Sequence, residues 1–249
     1  MFCVALLILS SFALVRGESC ESTTYDPEKY ICYEPNGNLC PIINGSPYSY
    51  CDQGAYACFD THQYSCSSTQ LEPLEPQTES FELIVSNPNI KELHGLPVHA
   101  ANYQLRTGPN ARTSTYCPEG TIFACDKRVT NRTVLRAGGG RFGPVSVLPG
   151  GQHGFLYPSS LYPSYTRPHS GYIPKGAQVD GIYAYKGGAF VNSYQPEGWW
   201  ACPPGSNVDE ADGVWNIYGA EQNVTGCVGV DLLVKQVEPE LEWFAWEYI

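Results

Sequence analysis

The chain has 249 residues, 25 of them acidic and 14 basic, for a formal charge of −11 at neutral pH. Without a lysine or arginine cluster, that balance excludes nucleic acid and anionic membrane surfaces as partners, whereas a neutral polysaccharide is compatible with it. Eleven cysteines point to an oxidising compartment.

Residues 1–17 read as a secretory signal peptide. Phe2 to Val15 is a short apolar run, followed by Val15-Arg16-Gly17 as a cleavage site. About 14 apolar residues fall short of the roughly 20 that span a bilayer. Removal of this segment takes away Cys3 and Arg16, leaving ten cysteines and a charge of −12. An even count in an exported chain implies disulfides rather than free thiols, and no membrane association once the signal is gone.

Six cysteines follow, at Cys20, Cys32, Cys40, Cys51, Cys58 and Cys66. The same stretch holds seven tyrosines and one phenylalanine but only four branched aliphatics: Ile31, Leu39, Ile42 and Ile43. So small a segment cannot fold on apolar burial alone, and cystines must staple it. It also repeats: Tyr25-Asp26-Pro27-Glu28-Lys29-Tyr30-Ile31-Cys32 returns 34 residues later as Phe59-Asp60-Thr61-His62-Gln63-Tyr64-Ser65-Cys66. Cys32 to Cys40 and Cys58 to Cys66 share one spacing. These features predict a two-halved, cystine-stapled module over residues 18–71.

The pattern Tyr-Asp-Pro-x-x-Tyr-x-Cys-Tyr, then Leu39-Cys40-Pro41, then Cys58-Phe59-Asp60 with Tyr64 and Cys66, resembles family 52 of the carbohydrate-binding modules. Phe59 stands where a tyrosine is usual. That family occurs in fungal secreted proteins, including some endo-β-1,3-glucanases, and the resemblance implies β-1,3-glucan binding.

Ser67 to Glu82 is rich in proline, glutamate and hydroxyl residues, with two leucines to bury. Such composition favours an extended, solvated connector, assigned here to residues 72–80. A larger domain is expected over residues 81–237, with 238–249 left as a C-terminal tail. Short apolar or alternating runs recur at Phe81–Val85, Thr121–Ala124, Val145–Leu148, Ile182–Tyr185, Val214–Tyr218 and Val228–Val234, with glycine and proline between them. No breaker-free stretch of helical periodicity reaches helix length. The fold class is therefore mainly β: a small disulfide-rich module plus a larger all-β domain that is a sandwich, a barrel or a trefoil.

Tyr116-Cys117-Pro118, Pro149-Gly150-Gly151-Gln152, His169-Ser170 with Ile173-Pro174, and Trp200-Ala201-Cys202-Pro203 with Cys227 resemble a fungal secreted cell-wall family. Its members include the phialide-development cell-wall protein of moulds and IgE-binding relatives. The resemblance implies a wall or surface location and no particular chemistry.

The candidate sugar-binding residues are Tyr25, Tyr30, Tyr33, Phe59 and Tyr64. A pyranose packs its C–H face on an aromatic ring, and a tyrosine hydroxyl can also bond the sugar. Asp26 and Asp60 are candidates to accept sugar hydroxyls, although Asp-Pro and Asp-Thr also cap turns. Trp199, Trp200 and Trp215 are read as core packing before a second sugar platform. Gly138-Gly139-Gly140-Arg141-Phe142-Gly143 formally fits a dinucleotide loop, but Pro144 follows at once and no helix pattern does, so it is read as a β-turn. No nucleophile elbow or His-Glu-x-x-His motif occurs, and the five histidines lie scattered, His94 and His99 being too far apart for a helical metal pair. No cofactor and no metal are expected.

Asn44, Asn131 and Asn223 begin glycosylation sequons. Five disulfides are expected with none across the connector: three among the first six cysteines, in any of 15 pairings, then Cys117–Cys125 and Cys202–Cys227 by proximity. Three functions fit: a non-catalytic binder of cell-wall polysaccharide, β-1,3-glucan above all; a glucan-active hydrolase with the larger domain catalytic; or a structural or host-interacting wall protein anchored by the module.

Overall fold

The computed structural model describes residues 17–34, 36–43, 46–77, 79–118, 131–194, 198–203, 213–220, 225–237 and 245–249. Among these are 23 β-strands and no helix, so the chain is all-β. Residues 1–16 of the expected signal peptide, the run at 121–124, Cys125, Asn44 and Asn223 lie outside the described residues. Asn131 is exposed.

The N-terminal module is a string of hairpins. β1 (Glu18–Cys20) pairs with β2 (Thr23–Tyr25); β3 (Tyr30–Tyr33), β4 (Asn38–Ile43) and β5 (Ser46–Pro47) form a three-stranded sheet. β6 (Ser49–Cys51) pairs with β7 (Ala57–Phe59), and β8 (Tyr64–Cys66) with β9 (Leu71–Pro73). One cystine joins each unit to the next: Cys20–Cys32 links β1 to β3, Cys40–Cys58 links β4 to β7, and Cys51–Cys66 links β6 to β8. The bridged residues are 12, 18 and 15 apart. On a chain-entropy argument each such closure contributes about 3 kcal/mol, in a module whose buried apolar side chains are chiefly Tyr25, Ile31, Phe59 and the cystines themselves.

In the larger domain, Phe81, Leu83 and Val85 of β10 (Phe81–Ser86) alternate inward. β10 pairs antiparallel along its whole length with β22 (Val228–Gln236), Phe81 opposite Gln236 and Ser86 opposite Asp231. The remaining strands are β11 (His99–Ala101), β12 (Gln104–Thr107), β13 (Thr115–Tyr116), β14 (Leu135–Gly138), β15 (Arg141–Pro144), β16 (Gly154–Leu156), β17 (Pro163–Tyr165), β18 (Ile182–Ala184), β19 (Phe190–Asn192), β20 (Trp199–Cys202), β21 (Trp215–Tyr218) and β23 (Glu247–Tyr248). A single ten-stranded sheet runs β15-β14-β10-β22-β20-β21-β12-β17-β16, with β11 beside β12. Its two ends meet. A Cβ on Gly154 would lie 2.6 Å from the Phe142 ring, and one on Gly143 would lie 2.5 Å from the Gln152 carbonyl oxygen. Of the three expected architectures, a sheet curled until its ends touch is the barrel.

The barrel interior is aromatic. Trp199 stacks on Phe190 at 5.3 Å and 11°, and Phe142 meets Phe190 edge-on at 5.3 Å. Trp199 is wholly buried, and Trp200 and Trp215 are half-buried, in keeping with core packing. The triple glycine makes the β14–β15 turn, with Gly139 and Gly140 at φ 58° and 76° and Gly138 paired to Arg141. Cys202–Cys227 is bridged as expected, and Cys117 is also disulfide-bonded.

Three segments differ from expectation. Residues 145–148 form no strand of the sheet; Val147 and Leu148 donate instead to Ala245 and Trp246. The stretch assigned to the C-terminal tail is thus built in at 245–249: β23 pairs with β13, and Tyr248 is completely buried. Gln152 clasps this end, its Nε2 donating to the Tyr248 carbonyl at 2.9 Å and its Oε1 accepting from the Tyr248 N–H at 2.8 Å. The connector is also held. Lys186 donates to the Glu75 carbonyl, Gln77 donates to Ala184, and Gln77 and Ser80 are buried. Pro76 sits between the two ladder bonds, where no N–H is needed, so a proline-rich sequence can line a sheet edge.

Candidate carbohydrate-binding face

Both halves of the repeat build the same local structure. The Asp26 carbonyl accepts from the N–H groups of Lys29 and Tyr30 at 3.0 Å, and its Oδ1 accepts from the Glu28 N–H at 3.0 Å. The Asp60 carbonyl accepts from Gln63 and Tyr64, and its Oδ1 accepts from the His62 N–H at 2.9 Å. Each aspartate therefore closes a turn that launches a Tyr-x-Cys strand. Lys29 bonds the Asp26 carboxylate at 3.0 Å and, with the Glu28 N–H, holds its pKa below the usual range. The hydrogen bond from His62 does the same for Asp60. These carboxylates are engaged in turns, not presented as free acceptors.

The first aromatic of each half points inward. Tyr25 and Phe59 are only 8% and 6% exposed; each ends a strand and packs its ring largely into the small core, Tyr25 also lining a cleft with Glu18 and Tyr33. The Tyr25 hydroxyl lies within bonding reach of Glu18 Oε2 (3.2 Å) and Asn89 Oδ1 (3.3 Å). Tyr33 is a strut. Its hydroxyl donates to the Tyr48 carbonyl at 3.0 Å, its ring lies 6.2 Å from that of Tyr50, and burial pushes its pKa up to about 12.

The second aromatic of each half points outward. Tyr30 and Tyr64 are 42% and 40% exposed. Tyr30 lies directly across from Pro41, and Tyr64 directly across from Pro73. Directly opposed residues of an antiparallel pair share a face, so each half presents a tyrosine beside a proline. Strand alternation supplies the reason: in Tyr30-Ile31-Cys32 the wholly buried Ile31 takes the inner face and leaves Tyr30 outside. A further ring, Tyr56, is the most exposed aromatic of the module at 69% and sits at φ 48° just before β7. Sequence reasoning missed it because it lies outside the repeat, although Gly54-Ala55-Tyr56 between two strands marks a hairpin tip.

The module is seated on the barrel by the same turns. Asn89 Nδ2 donates to the carbonyls of Pro27 and Tyr30, and the Ala189 N–H donates to that of Thr61. Thr61 Oγ1 donates to Asp231 Oδ2 at 2.9 Å, and His62 Nε2 lies 4.0 Å from Asp231 Oδ1. Asp231 is on the opposite side of β22 from the core residues Val230 and Leu232, under the module, and burial raises its pKa to about 6. His99, one of the two neighbouring histidines, is buried with Nδ1 2.9 Å from Thr113 Oγ1.

Comparison with known proteins bears on this module alone. Comparison with curated proteins and with solved structures found no match. Residues 19–71, the four-unit hairpin module with its Tyr30 and Tyr64 faces, match a protein-family model described as carbohydrate binding.

Proposed function

We propose that the chain is a secreted, non-catalytic protein that holds cell-wall polysaccharide, β-1,3-glucan in particular, on the tyrosine–proline faces of its N-terminal module. The observation that carries this reading is the duplication of one exposed ring, Tyr30 and Tyr64, at matching places in a module of carbohydrate-binding type. A ring flanked by a cross-strand proline offers a flat apolar surface to the C–H face of a pyranose. The resemblance of the cysteine–tyrosine spacing to family 52 supports the glucan, and with the wall-protein resemblance of the barrel it supports a fungal wall setting. The four cystines described suit export.

The test is adsorption of the intact chain to insoluble β-1,3-glucan, cellulose and chitin. Tyr30→Ala and Tyr64→Ala are each expected to weaken binding to the β-1,3-glucan several-fold, about 1 kcal/mol per ring. Because both rings are substantially exposed, melting temperature should hold. Binding of a neutral polymer should be unchanged between low and high salt. Adsorption that survives loss of both rings, or that disappears at high salt, would sink the reading. Reducing sugar released from a soluble β-1,3-glucan by the pure chain would show a hydrolase instead.

A further inference from the structure

A second aromatic cleft lies on the barrel, away from the module's rings. It is lined by residues 102–104 and by side chains from the stretch 155–174, and has a volume of about 580 Å³, within the ~300–1,000 Å³ range of ligand sites. Tyr157 and Tyr162 stack in its wall with ring centres 4.7 Å apart and planes 11° from parallel. Tyr218 braces Tyr162 edge-on at 6.2 Å. Tyr172 stands at the cleft 73% exposed and Tyr157 is 38% exposed. Asn102, Gln104 and Ser170 line the cleft with these rings. Among the described residues no carboxylate or lysine lines the cleft, and its one guanidinium, Arg167, is laid over the Tyr103 ring at 5.3 Å.

The backbone around the cleft is held in conformations that side chains disfavour. Of the seven described non-glycine residues with positive φ, five fall in its two stretches of chain, Asn102 (51°) and Tyr103 (60°) in the lining and Ser159 (69°), Leu161 (52°) and His169 (56°) beside it. Asn102-Tyr103 is the two-residue turn between β11 and β12, where Asn-Gly is the relaxed choice. A tyrosine in the glycine position, like a leucine at 161, is a conformation the chain adopts against local preference. The result at 103 is a ring under Arg167. At 159–161 it is a reversal that folds Tyr162 back onto Tyr157.

We infer that this cleft is a second saccharide site, taking a neutral oligosaccharide by stacking on Tyr157 and Tyr172 and by hydrogen bonds from Asn102, Gln104 and Ser170. Stacked rings interleaved with uncharged donors and acceptors complement a polyol that is apolar on its ring faces and polar at its rim. The absence of a carboxylate among the described lining residues, with the lone guanidinium committed to a ring, leaves neither a cation site nor a cluster of cations for a phosphate. The inference stands apart from the module's tyrosines.

The experiment is calorimetric titration of the intact chain and of its Tyr30→Ala/Tyr64→Ala form with soluble hexaoses of β-1,3-glucose, β-1,4-glucose, β-1,4-N-acetylglucosamine and α-1,6-mannose. The doubly substituted chain is expected to keep binding at least one of them. Adding Tyr157→Ala and Tyr172→Ala should then weaken that binding about tenfold. If Tyr157→Ala lowers the melting temperature, Tyr172→Ala alone, at a largely exposed position, carries the test with a several-fold loss. The inference is overturned if the folded Tyr30→Ala/Tyr64→Ala chain binds none of the four, or if its binding ignores residues 157 and 172. Binding by the parent chain that vanishes with Tyr30 and Tyr64 leaves the module reading standing and removes the cleft; persistence sensitive only to Tyr157 and Tyr172 does the reverse.

Discussion

Replacing Tyr248 by alanine is expected to destabilise the barrel by about 3–5 kcal/mol, the range for removing a large ring from a core. Tyr248 is wholly buried, meets Tyr165 edge-on at 6.3 Å, and its hydroxyl accepts from the Val134 N–H at 3.2 Å. The substitution therefore removes ring packing and strands a buried donor together. For a chain of this size the melting temperature should fall on the order of 10 °C, read by thermal denaturation with the disulfides intact. A change within a degree or two would mean that residues 245–249 do not hold the barrel together.

At pH 8, Asp231→Asn is expected to stabilise the folded chain by on the order of 1–3 kcal/mol, with a smaller gain at pH 5. Asp231 is buried at the seam between module and barrel, and its Oδ1 has no hydrogen-bond partner. Burial raises its pKa from 3.8 to about 6. A carboxyl that holds its proton more tightly when folded contributes stability that is complete below about 3.8 and is lost as pH rises through about 6. His62 adds to the same trend. Burial works to lower its pKa, but the Asp60 hydrogen bond and the charges of Asp231 and Asp60 outweigh that and leave it above 6.5. Its contribution is complete below 6.5 and is lost above its folded value. Asp60 acts oppositely: its depressed pKa gives stability present above 3.8 and lost as pH falls further. The parent chain should therefore be more stable at pH 5 than at pH 8. The asparagine keeps an oxygen for Thr61 and removes the charge, which flattens the alkaline decline. Melts of both chains at pH 5 and 8 decide it, and an asparagine chain less stable at pH 8 would show that the charged pair with His62 holds the seam.

How much of this was legible in sequence follows from what each feature depends on. The duplicated Asp turns and the Tyr-x-Cys strands are written locally, in spacing, and the two halves share them down to the bonds from the Asp26 and Asp60 carbonyls. The all-β class was legible because the breakers are local too. The side each ring faces was harder. Tyr25 and Tyr30 are equivalent in composition, and only the pleat, fixed by Ile31 going inward, separates the buried ring from the exposed one. The connector and the tail were misjudged for one reason: composition describes solubility, whereas Gln77 and Tyr248 are buried by partners far along the chain, at Ala184 and Gln152. The aromatic cleft was invisible because Tyr157 and Tyr162 stack only through a reversal at two positive-φ residues.

The seating of the module has a mechanical consequence. Modules on long flexible tethers swing, and any load on the bound polymer is spent in straightening the tether. Here Pro27, Tyr30 and Thr61 are bonded directly to Asn89 and Ala189 of the barrel, and residues 75–77 are zipped to its edge. A polymer gripped at Tyr30 would therefore pull on the barrel at once, at a fixed angle and with no slack. On a bound polysaccharide the protein would act as a rigid cleat, and a polymer reaching both the module and the Tyr157 cleft would have to match their fixed spacing, so that polymer curvature as well as sugar identity would become a quantity it measures.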